Sequence, residues 1–309
     1  MRKNNSNSFE LLILGTSSAT PSKTRHPSAH LLNIQEELFL IDCGEATQVR
    51  LFNHKIRWNQ LGHILITHLH GDHVYGLPGL LSSMGLYQRE NPLTIFGPSG
   101  IKEFVHTTLR LSHSQIAFDL QICEIDHTSA SVILQDDKLT ITAFPLDHRV
   151  PCIGYCFRYK DHFKKFDKEL LSRYPLRIAD IRKLKEGLDV TLPDGSVLRS
   201  NQVLLDIEVN KSYAYCSDTR YNERIIEYIK GVDLLYHETT YDGALEQKAE
   251  EMGHTTTLQA ARIAAKANVQ KLVTGHYSSR YHSLEHLLEE CQGVFPQTIL
   301  GIEDLRIKW

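Results

Sequence analysis

Apolar residues in this chain come in short runs that end on a polar or ionisable group. Residues 9–14, Phe-Glu-Leu-Leu-Ile-Leu, have the length and composition of a strand, and Gly15-Thr-Ser-Ser-Ala-Thr-Pro21 closes it as a loop. Residues 28–34 and 37–41 predict a hairpin, followed by a helix through His54. The run Ile64-Leu65-Ile66 predicts a buried strand, and 74–87 a helix in which Pro78 is early enough to be tolerated. Residues 93–96 predict a strand stopped by Gly97-Pro98, with Ser99 expected to cap a helix to about Leu111. Residues 115–125, 131–135 and 138–145 alternate as antiparallel strands would. Later apolar runs lead into Asp218, His237-Glu238 and Gly275-His276, and a threonine of the 254–257 segment is expected to cap a helix over 258–266. Strands in clusters with helices between and after them imply sheets in the middle and helices outside.

The stretch Gly62-His-Ile-Leu-Ile-Thr-His-Leu-His-Gly-Asp-His73 carries the densest chemistry. Three imidazoles and a carboxylate fall within six residues as His68-x-His70-x-Asp72-His73. Packing does not explain them, because His and Asp are costly to bury unpaired. Gly71 is expected to let the backbone turn, so that His68 and His70 face one point and Asp72 and His73 a neighbouring one. Imidazole with carboxylate suits zinc or a similar divalent ion. Histidine abundance alone proves nothing, since 17 are present and most lie outside this cluster. Three later strand ends offer further ligand types, His148, Asp218 and His276.

Composition narrows the classes. The 309 residues are 41% hydrophobic and 23% charged, ordinary for a globular protein with a sizeable core. Net charge is −3, so any attraction to nucleic acid must be local. Residues 158–187 supply it: ten Lys or Arg stand against five acids, leaving −8 for the remainder. Phe163, Phe166, Tyr159 and Tyr174 are interleaved there, so the segment is either a solvated helical face or an arm that grips phosphates. Residues 1–8 are polar and expected to be loose. Residues 9–14 are too short an apolar core for a signal peptide, and no run reaches the length of a membrane span. Six scattered cysteines then read as reduced thiols, with the cytoplasm the expected compartment.

Together these motifs resemble the metallo-β-lactamase superfamily and, within it, the ribonuclease Z family of tRNA 3′-processing endonucleases. The resemblance spans nearly the whole chain. Gly15-Thr16 with Pro21 is similar to the family's opening loop, and Phe39-x-Ile-Asp-Cys-Gly-Glu45 to its second motif. Thr67-His-Leu-His-Gly-Asp-His73 with Gly76-Leu-Pro-Gly79 is similar to its signature. Ser217-Asp-Thr219, His237-Glu238-Thr, His254-Thr-Thr and Gly275-His-Tyr-Ser-Ser-Arg-Tyr281 narrow the match beyond the superfamily.

The resemblance implies an α/β, four-layer αββα sandwich over residues 1–309, with an inserted basic arm at 158–195 acting as a tRNA-binding exosite. It implies one zinc held by His68, His70 and His148, a second by Asp72, His73 and His276, and Asp218 bridging them. Asp72 is implied as proton acceptor for the water that becomes a hydroxide shared by the metals, and His254, oriented by Glu238, as the acid that protonates the departing ribose 3′-oxygen. Zinc is favoured because His70 stands where iron-dependent flavoprotein oxidases of the superfamily place glutamate; Mn2+ or Fe2+ are possible substitutes. A homodimer is implied, acting on precursor tRNA to leave a tRNA 3′-hydroxyl. The sequence departs from the family where 173–179 lacks a Gly-Pro tip and where His26 replaces an Asn. Two other readings are a superfamily hydrolase of small phosphodiesters or thioesters, and a non-catalytic RNA-binding module. The first has no use for a basic arm, and the second none for seven ligands and a Glu–His pair.

Overall fold

The computed structural model describes residues 9–309, so the segment 1–8 lies outside the described residues. The described residues divide into two compact units, one of residues 9–136, 140–157 and 211–309, the other of 137–139 and 158–210.

Two seven-stranded sheets run through the fold. One has the strand order Arg306–Lys308, Phe9–Gly15, Ala29–Ile34, Glu37–Ile41, Leu61–Leu65, Leu93–Pro98, Leu120–Ile125. The other runs Thr298–Leu300, Leu272–Gly275, Leu234–Glu238, Leu204–Cys216, Cys152–Phe166, Leu139–Leu146, Ser131–Gln135. Successive side chains of a strand point to opposite faces, so a strand covered on both sides reads as a continuous apolar run. Phe9–Gly15 shows this. Leu12 and Leu14 join Leu31, Leu40, Ile64 and Ile66 against the helices Thr47–Asn53, Leu77–Leu86 and Ile101–Leu111. Between the sheets the opposite faces meet: Phe39 lies edge-on to Phe157, and His30 lies edge-on to Tyr215 and Tyr236. Outside the second sheet, Ala261, Ala264, Ile225 and Ile229 cover Ala214, Cys216, Leu235 and Leu272. Helices, two sheets and helices give four layers, as expected.

Several local expectations change. The strand Leu120–Ile125 pairs in parallel with Leu93–Pro98 and belongs to the first sheet, whereas Ser131–Gln135 pairs antiparallel with Leu139–Leu146 in the second. Alternation reported a half-exposed edge strand correctly but held no information about its partner. The helix expected over 74–87 is two, Gly71–Val74 and Leu77–Leu86, with Pro78 in the first turn of the second. Gly100, in a left-handed conformation, and not Ser99, precedes the helix Ile101–Leu111. Thr256 caps Thr257–Lys266 through its bond from the Gln259 N–H.

The second unit has its own small core. Leu184, Val190, Leu192, Leu198 and Val203 pack with Phe166, Leu170, Tyr174 and Leu176 around the helices Lys168–Leu171 and Ile178–Lys185. Phe166 and Tyr174 are therefore packing residues. Lys164, Lys165, Arg182, Lys183 and Lys185 are exposed, while Arg177 pairs with Asp180 and Arg173 with Glu169.

Candidate metal centre

Parallel neighbours in a sheet end on the same edge, which is where α/β folds build sites. Glu37–Ile41 and Leu61–Leu65 run in parallel and deliver Asp42 and His68. Leu234–Glu238 runs parallel to both Leu204–Cys216 and Leu272–Gly275, so Asp218, Glu238 and His276 emerge together. Asp42 and His276 reverse the chain just past their strands with φ of 57° and 58°. Left-handed backbone in a non-glycine residue costs of order 1–3 kcal/mol and persists where its surroundings enforce it.

The expected ligands gather in two groups. His68, His70, His148 and Asp218 present donor atoms within 4.8 Å of one another, and so do Asp72, His73 and His276. The His70 Nδ1 lies 3.1 Å from His68 Nε2 and 3.3 Å from His148 Nε2. In the other group, His73 Nε2 and His276 Nε2 are 3.3 Å apart, and Asp72 Oδ2 is 3.5 and 3.4 Å from them. Asp218 divides its carboxylate between the groups. Its Oδ2 faces His68 and His148 at 3.6 and 3.9 Å, and its Oδ1 faces His73 and His276 at 3.5 and 3.2 Å.

The hydrogen bonds behind the ligands fit a cation. A ring nitrogen that donates its proton elsewhere leaves the other nitrogen as a lone pair. His73 Nδ1 donates to Asp42 at 2.8 Å, and His148 Nδ1 to the Gly253 carbonyl at 2.7 Å. His276 Nδ1 lies 2.9 Å from the Thr240 hydroxyl, which gives its own proton to Glu238 at 2.6 Å. His68 Nδ1 lies 3.1 Å from the Thr67 hydroxyl, which donates to Asp42. Four Nε2 lone pairs are thereby aimed into the two groups. Burial drives His68, His70 and His148 below the ordinary imidazole range, toward the neutral form a ligand needs. His73 goes the other way: burial is outweighed by Asp72, Asp42 and Asp218, so binding a cation there releases a proton.

Beside the second group, the buried Glu238 accepts from the N–H groups of Thr219, Thr240 and Thr255 and from His254 Nδ1 at 3.0 Å. Burial would lower the His254 pKa, but Glu238 and then Asp218 raise it to about 9. The groups open on a cleft of about 600 Å³ lined by Asp72, Tyr75, Arg149, Tyr241 and His254.

Comparison with known proteins covers the same residues. Residues 9–163 match the family described as Anti-Pycsar protein Apyc1, a match that ends before Asp218, Glu238, His254 and His276. Ribonuclease Z of Cytophaga hutchinsonii is 44% identical over 96% of this chain and 94% of its own. Ribonuclease Z of Parabacteroides distasonis is 38% identical over 97% and 98%. The chain belongs to the ribonuclease Z family. Among solved structures, human tRNase Z, short form, is similar at a TM-score of 0.70, with 26% identity over 97% of this chain and 98% of that one. The metallo-β-lactamase fold protein YhfI of Bacillus subtilis, at 18% identity and a TM-score of 0.69, shares the fold.

The structure brings the nine residues expected from the sequence together around the two groups, and it adds three supporting groups to which the sequence gave no role. Asp42 sits at a strand's C-terminal end, the same signal that marked the ligands, and was left as part of a motif. Thr67 and Thr240 carried no signal, since threonines are common at strand ends. Gly71 has no left-handed φ; a Cβ there would lie 2.2 Å from the Tyr75 ring, so space and not the turn requires glycine.

Because Asp42 holds His73 and, through Thr67, His68, Asp42→Asn should weaken divalent-metal affinity about 10–100-fold. Chelator competition measures this, and unchanged affinity would show that the ligands need no such support.

Proposed function

We propose that this chain is a zinc-dependent endoribonuclease that removes 3′ trailers from precursor tRNA. Membership of the ribonuclease Z family supports the activity, and the splitting of Asp218 between two ligand groups carries the two-metal reading. His68, His70 and His148 would hold one zinc ion, Asp72, His73 and His276 the other, with Asp218 shared. Two cations so placed polarise phosphoryl oxygens and make water a nucleophile near neutral pH.

The remaining steps belong to side chains. Asp72 takes the proton of the attacking water; burial would raise its pKa, but His73 and His276 hold it well below the usual carboxylate range, so it stays ionised. His254 lies 3.9 Å from Asp218 Oδ2, with its Nδ1 proton committed to Glu238. Its other nitrogen is then the donor to the departing ribose 3′-oxygen. Retained as products are a tRNA 3′-hydroxyl and a 5′-phosphorylated trailer.

The second unit is read as the tRNA exosite, because its unpaired exposed cations answer to phosphates and not to a small substrate. A homodimer is supported by one exposed apolar face: Phe52, Trp58 and Tyr87 line a common cleft, with Phe52 69% and Tyr87 72% exposed. Six unpaired cysteines agree with a reducing, cytoplasmic setting, and no helix of the described residues is long and apolar enough to cross a membrane.

Cleavage of a 3′-extended tRNA should vanish with chelator and return with zinc. Asp72→Ala should abolish it while tRNA still binds, and His254→Ala should lose about 10²–10⁴-fold. The His254 loss should shrink on a p-nitrophenyl phosphodiester, whose leaving group needs no acid; cleavage by either variant at the wild-type rate contradicts its role. Reversing Lys164, Lys165, Arg182, Lys183 and Lys185 to Glu should raise KM for precursor tRNA and flatten its salt dependence. An unaltered salt slope would remove the second unit from substrate binding. Phe52→Asp should convert dimers to monomers in sedimentation, and a wild type that is monomeric at micromolar concentration would refute the dimer.

A further inference from the structure

The cleft that holds the metal ligands is lined by a single Lys or Arg among the described residues, Arg149. It follows the ligand His148 directly and is exposed, and no hydrogen bond or ion pair engages it among the described residues. Its neighbours differ: Arg220 pairs with Asp147 at 3.0 Å and reaches Glu250 at 3.5 Å. A cation left without a partner at the rim of a cleft whose other ionisable groups are carboxylates, imidazoles and tyrosines is available to an anion from outside.

The stem of Arg149 is placed by Gly253. That residue has φ of +79°, and its carbonyl accepts from His148. A Cβ on it would stand 2.9 Å from His148 Nδ1 and 3.3 Å from Arg149 Cγ. The bare backbone of Gly253 thus lets the ligand ring and the arginine stem lie together against the residue preceding His254. Arg149 therefore packs beside the backbone that leads directly into His254. It stands on the side of the cleft where the acid sits.

Building on the proposed tRNA-cleaving activity, we propose that Arg149 grips the backbone phosphate immediately 5′ of the nucleotide whose 3′-oxygen departs. The acid must reach that oxygen, so the nucleotide carrying it lies on the His254 side. Its 5′-phosphate is the next negative charge along the strand in that direction. A guanidinium binds a phosphate through two parallel N–H donors, which fixes orientation as well as position. Arg149 is in this reading a binding residue for the retained tRNA end, distinct from the ligands that meet the cleaved phosphate.

The test is a precursor tRNA carrying one neutral methylphosphonate at that linkage, assayed with the wild type, Arg149→Ala and Arg149→Lys. Arg149→Ala should lose about 10–100-fold in kcat/KM on the unmodified substrate, mostly in KM, with metal content and circular dichroism retained, and Arg149→Lys should recover part of it. The methylphosphonate should slow the wild type comparably and slow Arg149→Ala no further. Multiplying losses in an active wild type, or a loss confined to kcat, would overturn the Arg149 assignment alone. A wild type that leaves unmodified precursor uncut would sink the tRNA reading, and this assignment with it.

Discussion

Everything in this structure converges on one carboxylate shared between two sets of imidazoles. Asp218 is buried, and the groups that balance its charge are rings delivered by other strands. Burial alone would raise its pKa, yet His276, His73 and His68 hold it below the usual carboxylate range. An ionised group in such a place needs every partner fixed in orientation, since its attraction to each depends on which nitrogen faces it. The hydroxyls and carboxylates behind the rings supply that orientation. Two of the non-glycine residues with left-handed backbone, Asp42 and His276, lie in this network, where conformational cost is tolerated for placement.

The architecture explains why ligands so distant in sequence can meet. His68, Asp218 and His276 each follow a buried strand, and parallel pairing brings such ends to one edge of a sheet. The two sheets press together through aromatic rings: His30 of the first is set edge-on against Tyr215 and Tyr236 of the second, which stack on each other at 4.6 Å within their own sheet. The Tyr215 hydroxyl also reaches Asp42 at 3.1 Å. A residue of the inter-sheet core thus joins the carboxylate that orients His73, so packing and the site share a side chain.

How much of this was legible in the sequence follows from what a strand end reveals. Apolar runs closed by His or Asp pointed to the residues that the structure gathers into the two groups, because burying such groups without purpose is costly. The pairing of Leu120–Ile125 with the first sheet was not legible, since alternation records which face is wet and not which strand lies alongside. The aromatics at 163–174 were ambiguous for a related reason. Composition offered a solvated face or a phosphate-gripping arm and left the role of the aromatics open, and the small core containing Phe166 and Tyr174 shows packing in their case. His26, a departure from the family's Asn, finds Glu303: its Nδ1 lies 2.7 Å from Oε2, a partner 277 residues away that no local pattern could indicate. Arg25 beside it donates to the carbonyls of Ser278 and Tyr281, tying the opening loop to the segment after His276.

The most consequential connection runs through Glu238. One of its oxygens accepts from His254, while the other takes the Thr240 proton and so fixes His276. The group that orients His254, the proposed acid, therefore also orients His276, a proposed metal ligand, and the two cannot be positioned independently. The same carboxylate, with Asp218, sustains the positive charge of His254 against burial. Cations bound at Asp218 would offset one of those two negative charges and move the His254 pKa down from about 9 toward the pH of the medium. An acid is most effective when its pKa lies near that pH. On the proposed reading, metal loading and proton donation are in this way joined by electrostatics, with Thr240 and Glu238 as the shared mechanical link.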